Sequence, residues 1–185
     1  MPSTSSRTAR LSPSSTDVSS LNICSFNARS VRHKLTEICD FGQTNFINIF
    51  AVSEFWLGPT MPDNMLNLPG FQQYREDRNA SGGAVCFFIK NDLPCRRRTD
   101  LEFLRLQLIW IEAFLKSFSL LVGCCYRPPS SATVFYEMVE KSLDAASKQN
   151  VVLVGDFNAK HFCGWKPIRL IKLEIFLRTS LTVST

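Results

Sequence analysis

The most informative segment is Val151-Val152-Leu153-Val154-Gly155-Asp156-Phe157-Asn158, in which a continuous apolar run leads into a polar end. An unbroken run of branched apolar residues is typical of a β-strand that is covered on both faces. Gly155 permits a sharp turn, and Asp156 and Asn158 stand two residues apart just beyond it. The segment therefore predicts a buried strand that brings a carboxylate and an amide to one end of a sheet.

This pair of side chains suits the hydrolysis of a phosphate ester. Asp156 can accept a proton from water, and the Asn158 amide, which is both donor and acceptor, can orient that water or the phosphate. Asp and Asn are also the residues expected in an ordinary turn at the end of a strand. On these two residues alone, a site and a turn are both open interpretations.

Upstream of this segment, short apolar strands are separated by turns and by two helices. A first helix, which Ser30 can cap, has an apolar face made of Val31, Leu35, Ile38 and Phe41. A second helix is predicted at about Ala132–Lys148. Downstream of Val151–Asn158, the segment Ile168–Leu177 fits either a strand or a helix. The predicted strands are Leu21–Phe26, Ile47–Ser53, Phe71–Arg75, Gly83–Lys90, Leu106–Phe114 and Ser119–Tyr126. Predicted strands that are grouped in the middle of the chain, with helices on either side, indicate an α+β layered sandwich.

Polar side chains also follow the first two predicted strands. Glu54 comes directly after Ile47–Ser53, in a neighbourhood that is otherwise uncharged. A carboxylate there can bind Mg²⁺, with water and a substrate phosphate as further ligands, or it can be a solvated acid on a loop. Asn27 can be a turn residue or a hydrogen-bonding partner of a metal-binding carboxylate. Because three separate strand ends carry polar groups, we expect these groups to share one cleft.

A fourth strand end carries Tyr126 and Arg127. The Tyr126 phenol can donate a hydrogen bond to a phosphoryl oxygen, and the Arg127 guanidinium can pair with a phosphate. The alternative is an ordinary strand end with an aromatic ring packed on proline. Pro128 ends the strand in either case, because proline cannot donate to a ladder. The run Arg96–Arg98 is more typical of a solvated loop than of a phosphate contact.

Composition favours one globular domain, since the 185 residues are 45% hydrophobic and 20% charged. Residues 1–20 are rich in Ser and Thr and predict a disordered tail, or alternatively an organelle transit peptide. Residues 21–161 are predicted to form the domain, and residues 162–185 form a basic tail of unassigned structure. The net charge is +5, but most of it lies after Ala159, so charge is weak evidence that the folded part binds nucleic acid.

The cysteines indicate an intracellular protein, nuclear or cytoplasmic, with reduced thiols. There are seven of them, they include no CxxC pair, and most lie in apolar runs. No membrane partner is expected, because the longest apolar stretch, Leu106–Tyr126, is interrupted by Glu112 and Lys116. No small-molecule cofactor is expected either, since the sequence has neither a P-loop nor GxGxxG, and His161 lacks partners for a zinc site.

Five short motifs occur in a fixed order along the chain. They are Ser25-Phe26-Asn27-Ala28-Arg29-Ser30, Ser53-Glu54-Phe55-Trp56-Leu57, Gly82-Gly83-Ala84-Val85, Tyr126-Arg127-Pro128-Pro129-Ser130 and Gly155-Asp156-Phe157-Asn158-Ala159. Together they resemble the endonuclease/exonuclease/phosphatase superfamily, and above all the apurinic-type endonuclease domain of non-LTR retrotransposons (long interspersed elements). The similarity runs from about Asn22 to His161.

The resemblance implies a four-layer α/β sandwich, in which two packed mixed β-sheets are flanked by helices. It also implies a hydrolase that depends on Mg²⁺ or Mn²⁺ and nicks target DNA, so that the exposed 3′-hydroxyl can prime reverse transcription. DNA would be the partner, and a full-length element would carry a reverse transcriptase downstream.

The resemblance further implies a role for each candidate residue. Asn27 and Glu54 would form the metal end of the site. Asp156 would activate the attacking water, and Asn158 would position it. The implied substrate contacts are Tyr126, on the scissile phosphate, together with Arg29 and Arg127.

The C-terminal region departs from the family pattern. In the family, further core strands and a Ser-Asp-His-type segment follow the Gly-Asp-Phe-Asn motif, whereas residues 162–185 contain neither Asp nor His. We therefore expect a truncated copy with an unpaired sheet edge and little or no nuclease activity. Two alternatives are a non-catalytic nucleic-acid-binding remnant, and a phosphatase of the same fold that acts on phosphoinositides or other phosphomonoesters.

Overall fold

The computed structural model describes residues 21–31, 33–55, 66–77, 83–104, 106–129, 134–158 and 175–177. The helices are α1 (Leu35–Thr44), α2 (Val134–Ala146) and a 3-10 turn at Thr99–Leu101. The strands are β1 (Ile23–Asn27), β2 (Ile49–Ser53), β3 (Phe71–Glu76), β4 (Val85–Lys90), β5 (Cys95–Arg97), β6 (Gln107–Phe114), β7 (Ser119–Tyr126), β8 (Asn150–Asp156) and β9 (Ile175–Leu177).

The strands form two mixed sheets. The first has the order β3-β4-β2-β1-β9, and the second has the order β5-β6-β7-β8. In the first sheet β2 is parallel to β1 and antiparallel to β4, and in the second sheet β7 is parallel to β8 and antiparallel to β6. Because β1 and β2 run parallel, as do β7 and β8, the carboxyl ends of the two neighbouring strands in each pair lie side by side.

Three apolar clusters fix the layers. The first lies between the sheets and includes Ile49, Phe87, Ile109 and Val122. The second packs α1 on the outer face of the first sheet, and the third packs α2 on the outer face of the second sheet. Helix, sheet, sheet and helix therefore form four layers, which confirms the predicted α/β sandwich.

Strand β8 is covered on both faces, as its sequence predicted. Val152 and Val154 belong to the cluster between the sheets, whereas Val151 and Leu153 pack in the cluster under α2. Gly155 has a φ of +131°, and a Cβ built on it would lie 1.9 Å from the carbonyl oxygen of Cys125. Only glycine fits there, so the strand reaches Asp156 in a conformation that no other residue would permit.

The beginning of α1 differs from the prediction. The helix starts at Leu35 after Lys34, with no side-chain cap, so the expectation that Ser30 caps it is wrong. Ser30 instead has a φ of +91°, and its backbone N–H donates to the carbonyl oxygen of Glu54. The segment before the helix is therefore held by the end of β2 rather than by the helix itself.

The arginine run is also different from the prediction. Arg96 and Arg97 lie in β5, which pairs with β6, and the guanidiniums of Arg96–Arg98 form ion pairs with carboxylates. The prediction of a solvated loop is wrong because the run forms part of a strand. Its partners Asp100 and Glu102 are near in sequence, but Glu76 and Glu112 lie 14 or more positions away, and no local pattern marks those two as partners.

The ambiguous C-terminal segment contributes a strand. Residues Ile175–Leu177 form β9, which pairs in parallel with Ile23–Ser25 of β1. In the described part of the chain, β8 is an edge strand of the second sheet. The predicted tails, residues 1–20 and most of 162–185, lie outside the described residues.

Six of the seven cysteines are described, and all six are free thiols. Burial raises the pKa of the Cys125 thiol to about 12 and that of Cys124 well above its ordinary value. These two thiols are therefore protonated and unreactive, as expected for structural cysteines. No described helix is long and apolar enough to cross a membrane.

Candidate active site

The carboxyl ends of four strands meet at one edge of the two sheets. Asn27 of β1 is the neighbour of Ser53 in β2, and Tyr126 of β7 is the neighbour of Asp156 in β8. Each of these pairs lies at the end of parallel strands, where side chains from adjacent strands face the same space beyond the sheet. The registers therefore bring the predicted strand-end residues to the same end of the sandwich.

One hydrogen bond joins the two sheets at this end. The Asn27 Nδ2 donates to Asp156 Oδ2 over 2.8 Å, although the two residues are 129 positions apart in sequence. Asn27 Oδ1 in turn accepts from the backbone N–H of Arg29, at 3.1 Å. The Asn27 side chain is thus fixed at both of its polar ends, and it holds the carboxylate of Asp156.

Both carboxylate oxygens of Asp156 accept a hydrogen bond from an uncharged group. Oδ2 accepts from Asn27, and Oδ1 accepts from the backbone N–H of Asn158 at 2.9 Å. A carboxylate oxygen has two lone pairs, so each oxygen keeps acceptor capacity for a further donor such as water. The carboxylate is held in one orientation while its negative charge has no cationic partner among the described residues.

Asn158 and Arg127 clamp the ends of β7 and β8 together. Asn158 Nδ2 donates to the carbonyl oxygen of Arg127 at 2.7 Å, and Arg127 Nη1 donates to the carbonyl oxygen of Asn158 at 3.2 Å. The Arg127 backbone N–H also donates to the Asp156 carbonyl oxygen, at 2.8 Å. The guanidinium lies 4.9 Å from the ring centroid of Tyr136 in α2. These contacts orient the Asp156 turn, and the contact of Arg127 with substrate stays a prediction.

Glu54 occupies the first residue after β2 and is held through its backbone. Its φ is +53°, and its carbonyl oxygen accepts from the N–H of Ser30 at 3.0 Å. The preceding carbonyl, of Ser53, accepts from the N–H of Ala28 at 2.9 Å. The side chain of Glu54 is half-buried, and within the described residues it forms no ion pair.

Strained backbone is concentrated at this end of the molecule. Six described residues other than glycine have a positive φ, and five of them belong to the strand ends or turns of the site: Arg29, Ser30, Glu54, Ala84 and Asn158. Such conformations cost of the order of 1–3 kcal/mol each and persist only where the surroundings impose them. Their clustering favours a functional site over a set of ordinary turns.

Two of the predicted substrate contacts have different environments. Tyr126 is only 6% exposed, and it belongs to the apolar cluster between the sheets. Arg29 is exposed and has a φ of +45°. The structure therefore places the Arg29 side chain in solvent beside Asn27, whereas most of Tyr126 is packed in the core next to Asp156.

Sequence reasoning missed Gln107, the first residue of β6. Its Oε1 accepts from the backbone N–H of Ala84 at 3.1 Å, which joins the second sheet to the turn before β4. Ala84 has a φ of +80°, and its carbonyl oxygen accepts from the N–H of Phe55 at 3.5 Å. A polar residue at the start of a predicted strand carries no signal of this role, because the contact depends on how the sheets pack.

The donor set fits a hard divalent cation. Within the described residues there is no cluster of three or more His, Cys, Asp and Glu side chains that could hold a metal by itself. Mg²⁺, however, is commonly bound through one or two carboxylates, with water and substrate phosphate as its other ligands. Glu54 and Asp156 supply carboxylates without cationic partners in the described structure, so these residues meet that requirement.

The two-sheet fold and the polar strand ends agree with a match to one protein family. The chain belongs to the Endonuclease/Exonuclease/phosphatase family, which it matches over residues 19–177. That match extends past His161, where the similarity of the short motifs stops. A comparison with curated proteins finds no match.

Solved structures show the same fold. The chain is similar to the endonuclease domain of TRAS1, a telomere-specific non-LTR retrotransposon, with a TM-score of 0.58 and 14% identity, over 74% of this chain and 58% of that one. It is similar to the catalytic domain of Xenopus laevis APE2, with a TM-score of 0.56 and 14% identity, over 78% of this chain and 62% of that one. An AP endonuclease from Archaeoglobus fulgidus matches with a TM-score of 0.51 and 16% identity, over 72% of this chain and 56% of that one. The chain thus spans less than two thirds of each of these structures.

Proposed function

We propose that this chain is a metal-dependent DNA endonuclease domain, of the kind that nicks target DNA for a non-LTR retrotransposon. One observation carries the proposal above the others: the 2.8 Å hydrogen bond from Asn27 Nδ2 to Asp156 Oδ2. It brings together, from the two sheets, the two polar strand ends that the motifs identify. The similarity in fold to the TRAS1 endonuclease domain supports the choice of DNA as substrate.

Asp156 is the base in this proposal. Its two oxygens are oriented by the Asn27 amide and the Asn158 N–H, and each keeps a lone pair that can accept a proton from water. A positioned general base of this type contributes about 10²–10⁴-fold to a rate. Asn158 sets the orientation of the carboxylate through its backbone N–H, so it positions the base as well as the water.

Glu54 and the Asn27 end of the site would hold Mg²⁺ or Mn²⁺. When bound, such an ion stabilises the charge that develops on the phosphate during hydrolysis. Glu54 brings a carboxylate to the end of β2, and the hydrogen bond between Ser30 N–H and the Glu54 carbonyl fixes the backbone that carries it. Asn27 acts mainly through Asp156, since its amide nitrogen is bonded to that carboxylate.

In this proposal the DNA phosphate is contacted by Tyr126, Arg29 and Arg127. Arg29 is exposed beside Asn27 and can reach a DNA backbone. Tyr126 and Arg127 follow one another at the end of β7, where Arg127 is held by Asn158 and Tyr136. Guanidinium and phenol groups are suitable donors for phosphoryl oxygens.

We further propose that this chain nicks DNA slowly. The sequence contains two histidines, and neither can be assigned as the catalytic histidine of the family: His33 is exposed near the start of α1, and His161 continues the Gly-Asp-Phe-Asn motif. Removal of one member of a cooperating catalytic set commonly lowers the rate by several powers of ten.

Relaxation of a supercoiled plasmid in Mg²⁺ tests both proposals. The wild-type chain is expected to nick slowly, and chelation by EDTA or the Asp156→Asn substitution is expected to abolish the nicking. Asp144→Asn is the matched control, because Asp144 is an exposed carboxylate on α2 away from the site.

The possible results separate the alternatives. DNA binding without any Mg²⁺-dependent nicking, at high protein concentration and long times, would favour a non-catalytic remnant. Release of inorganic phosphate from a phosphoinositide or another phosphomonoester, without nicking, would favour a phosphatase. Fast nicking that Asp156→Asn abolishes would support the site and contradict the slow rate.

A further inference from the structure

A second hydrogen bond joins the two sheets at the end that carries the candidate site, and the proposed function does not use it. Gln107 begins β6 in the second sheet, and its Oε1 accepts from the N–H of Ala84, which precedes β4 in the first sheet. Gln107 is the cross-strand neighbour of Tyr126, and Tyr126 is the neighbour of Asp156. The Gln107 contact therefore lies at the same end of the sandwich as the Asn27–Asp156 bond.

Ala84, whose N–H donates to Gln107, has a strained backbone conformation. Ala84 has a φ of +80° and follows Gly83, whose φ is +92°. A side chain with a Cβ rarely adopts such a φ, so Ala84 stays there only while its neighbours impose it. Ala84 is 1% exposed, which means that its N–H would lose a hydrogen bond without gaining water if Gln107 were removed. An unpaired buried donor of this kind costs about 1–3 kcal/mol.

Ala84 connects Gln107 to Glu54. The Ala84 carbonyl oxygen accepts from the N–H of Phe55, the residue that follows Glu54. Phe55 is fully buried, and its ring lies 6.2 Å from that of Phe88. On its other side, the Glu54 carbonyl accepts from Ser30. The backbone of Glu54 is thus held from two directions, and one of them leads through Ala84 to Gln107.

We propose that Gln107 is a positioning residue that sets the Glu54 carboxylate for its metal ion. The inference rests on the proposed function, since it assigns Glu54 to the metal. Gln107 touches neither metal nor substrate, and it acts through the Ala84 and Phe55 backbone. Outer partners of metal ligands typically change metal affinity by 10–100-fold when they are removed.

The test compares substitutions that differ in whether they keep the acceptor. Gln107→Met has nearly the same shape but no oxygen, and Gln107→Ser is too short to reach Ala84. Gln107→Glu keeps an acceptor oxygen. Gln72→Met is the matched control, because Gln72 is also a half-buried strand glutamine that bonds across the two sheets, through Nε2 to Cys95 Sγ at 3.4 Å. That contact lies at the opposite end of β4, where Gln72 pairs with Ile89.

Two measurements serve as readouts. The dissociation constant for Mg²⁺, from calorimetry of the whole chain, is expected to rise about tenfold or more in Gln107→Met and Gln107→Ser. It is expected to stay within about threefold of wild type in Gln107→Glu and to be unchanged in Gln72→Met. Amide hydrogen exchange without metal is expected to accelerate at Ala84 and Phe55 in the two loss variants alone.

The outcomes distinguish the inference from the function on which it rests. Wild-type Mg²⁺ affinity in both loss variants, or equal weakening by Gln72→Met, overturns the role of Gln107 and leaves the proposed function in place. Unchanged exchange at Ala84 and Phe55 overturns it as well. A wild-type chain that binds no Mg²⁺ overturns the proposed function, and the inference with it.

Discussion

Two polar clusters connect the sheets, and they use opposite chemistry. At the carboxyl ends of β1 and β8, Asn27 holds Asp156 through a neutral amide. At the other edge of the molecule is the arginine cluster, which comprises Arg96, Arg97 and Arg98 with Glu76, Asp100, Glu102 and Glu112. There Arg97 Nη2 joins β3 to β5 through Glu76 Oε2 at 2.7 Å, and it also contacts Glu102 Oε2 at 2.8 Å.

Every carboxylate of the arginine cluster has a cationic partner. Glu112 Oε2 lies 2.7 Å from Arg96 Nη2 and 3.1 Å from Arg98 Nη1, and Asp100 is paired with Arg98. Burial alone would raise the pKa of Glu112, but the bonds from Arg96 and Arg98 lower it overall. The same pairing raises the pKa of Arg97, mainly through its hydrogen bonds to Glu102.

The polar groups of the arginine cluster stabilise the fold, whereas those at the ends of β1, β2 and β8 are available for chemistry. Charges that neutralise one another have little affinity left for a ligand, and their backbone in β5 is ordinary strand. The Asp156 carboxylate accepts from neutral donors, and Glu54 lies in a strained turn. Neither carboxylate forms an ion pair with a described residue, so their negative charge is not compensated there. The proposed divalent cation would bind such uncompensated carboxylates.

The largest expected effect is on the proposed nicking activity, and it belongs to the cluster that Asn27 and Asp156 form. Asp156→Asn keeps the shape of the side chain and removes the proposed base, so we expect plasmid nicking to fall at least about a hundredfold. Glu112→Gln, in the arginine cluster, is expected to leave the nicking rate per folded molecule unchanged. Equal losses of activity in both variants would erase the distinction between the clusters.

The second largest expected effect is a loss of folding stability when the arginine cluster is changed. Glu112→Gln leaves two guanidiniums without a shared carboxylate, and we expect the free energy of unfolding in urea to fall by about 1–3 kcal/mol at pH 7. Because the folded pKa of Glu112 is lowered, its contribution is present above the unfolded value and is lost as the pH falls through the folded value. Wild type is therefore expected to lose more stability in acid than Glu112→Gln does, and parallel pH profiles would contradict the pairing.

Asn27→Ala is expected to have an intermediate effect on both properties. It removes the hydrogen bond to Asp156, so the proposed base loses its orientation. We expect kcat for nicking to fall about tenfold and the free energy of unfolding to fall by about 1 kcal/mol. Steady-state kinetics and urea unfolding measure the two. A loss of stability with unchanged kcat would show that Asn27 only joins the sheets.

The smallest expected effect is on folding stability, when backbone strain is relieved at a residue away from the site. Phe46 has a φ of +52° after α1 and is 73% exposed, a position where helices usually have glycine. Phe46→Gly is expected to stabilise the chain by about 0.5–1 kcal/mol, measured by urea unfolding, without changing the nicking rate. A lowered nicking rate would contradict the view that only the strain at the strand ends serves the site.

The features of the fold and site that depend on local sequence pattern are predictable from the sequence. The apolar run of β8, the glycine at position 155 and the polar residues at the strand ends follow from residue type and spacing, and the structure brings Asn27 and Asp156 together as expected. The expectation that Ser30 caps a helix follows from its residue type, because serine often has that role. The positive φ that Ser30 adopts instead leaves no mark on the sequence. Gln107 and the pairing of Arg96 with Glu112 and of Arg97 with Glu76 escaped prediction, since these contacts depend on how distant strands pack.

The most direct test of the account is the effect of Mg²⁺ on thermal unfolding of three chains. In wild type and in Glu112→Gln, the melting temperature is expected to rise with Mg²⁺ concentration, as it does when a ligand binds only the folded state. In the double variant Glu54→Gln with Asp156→Asn, the rise is expected to disappear. A rise of equal size in the double variant would show that Mg²⁺ binds elsewhere, and it would contradict the assignment of the site.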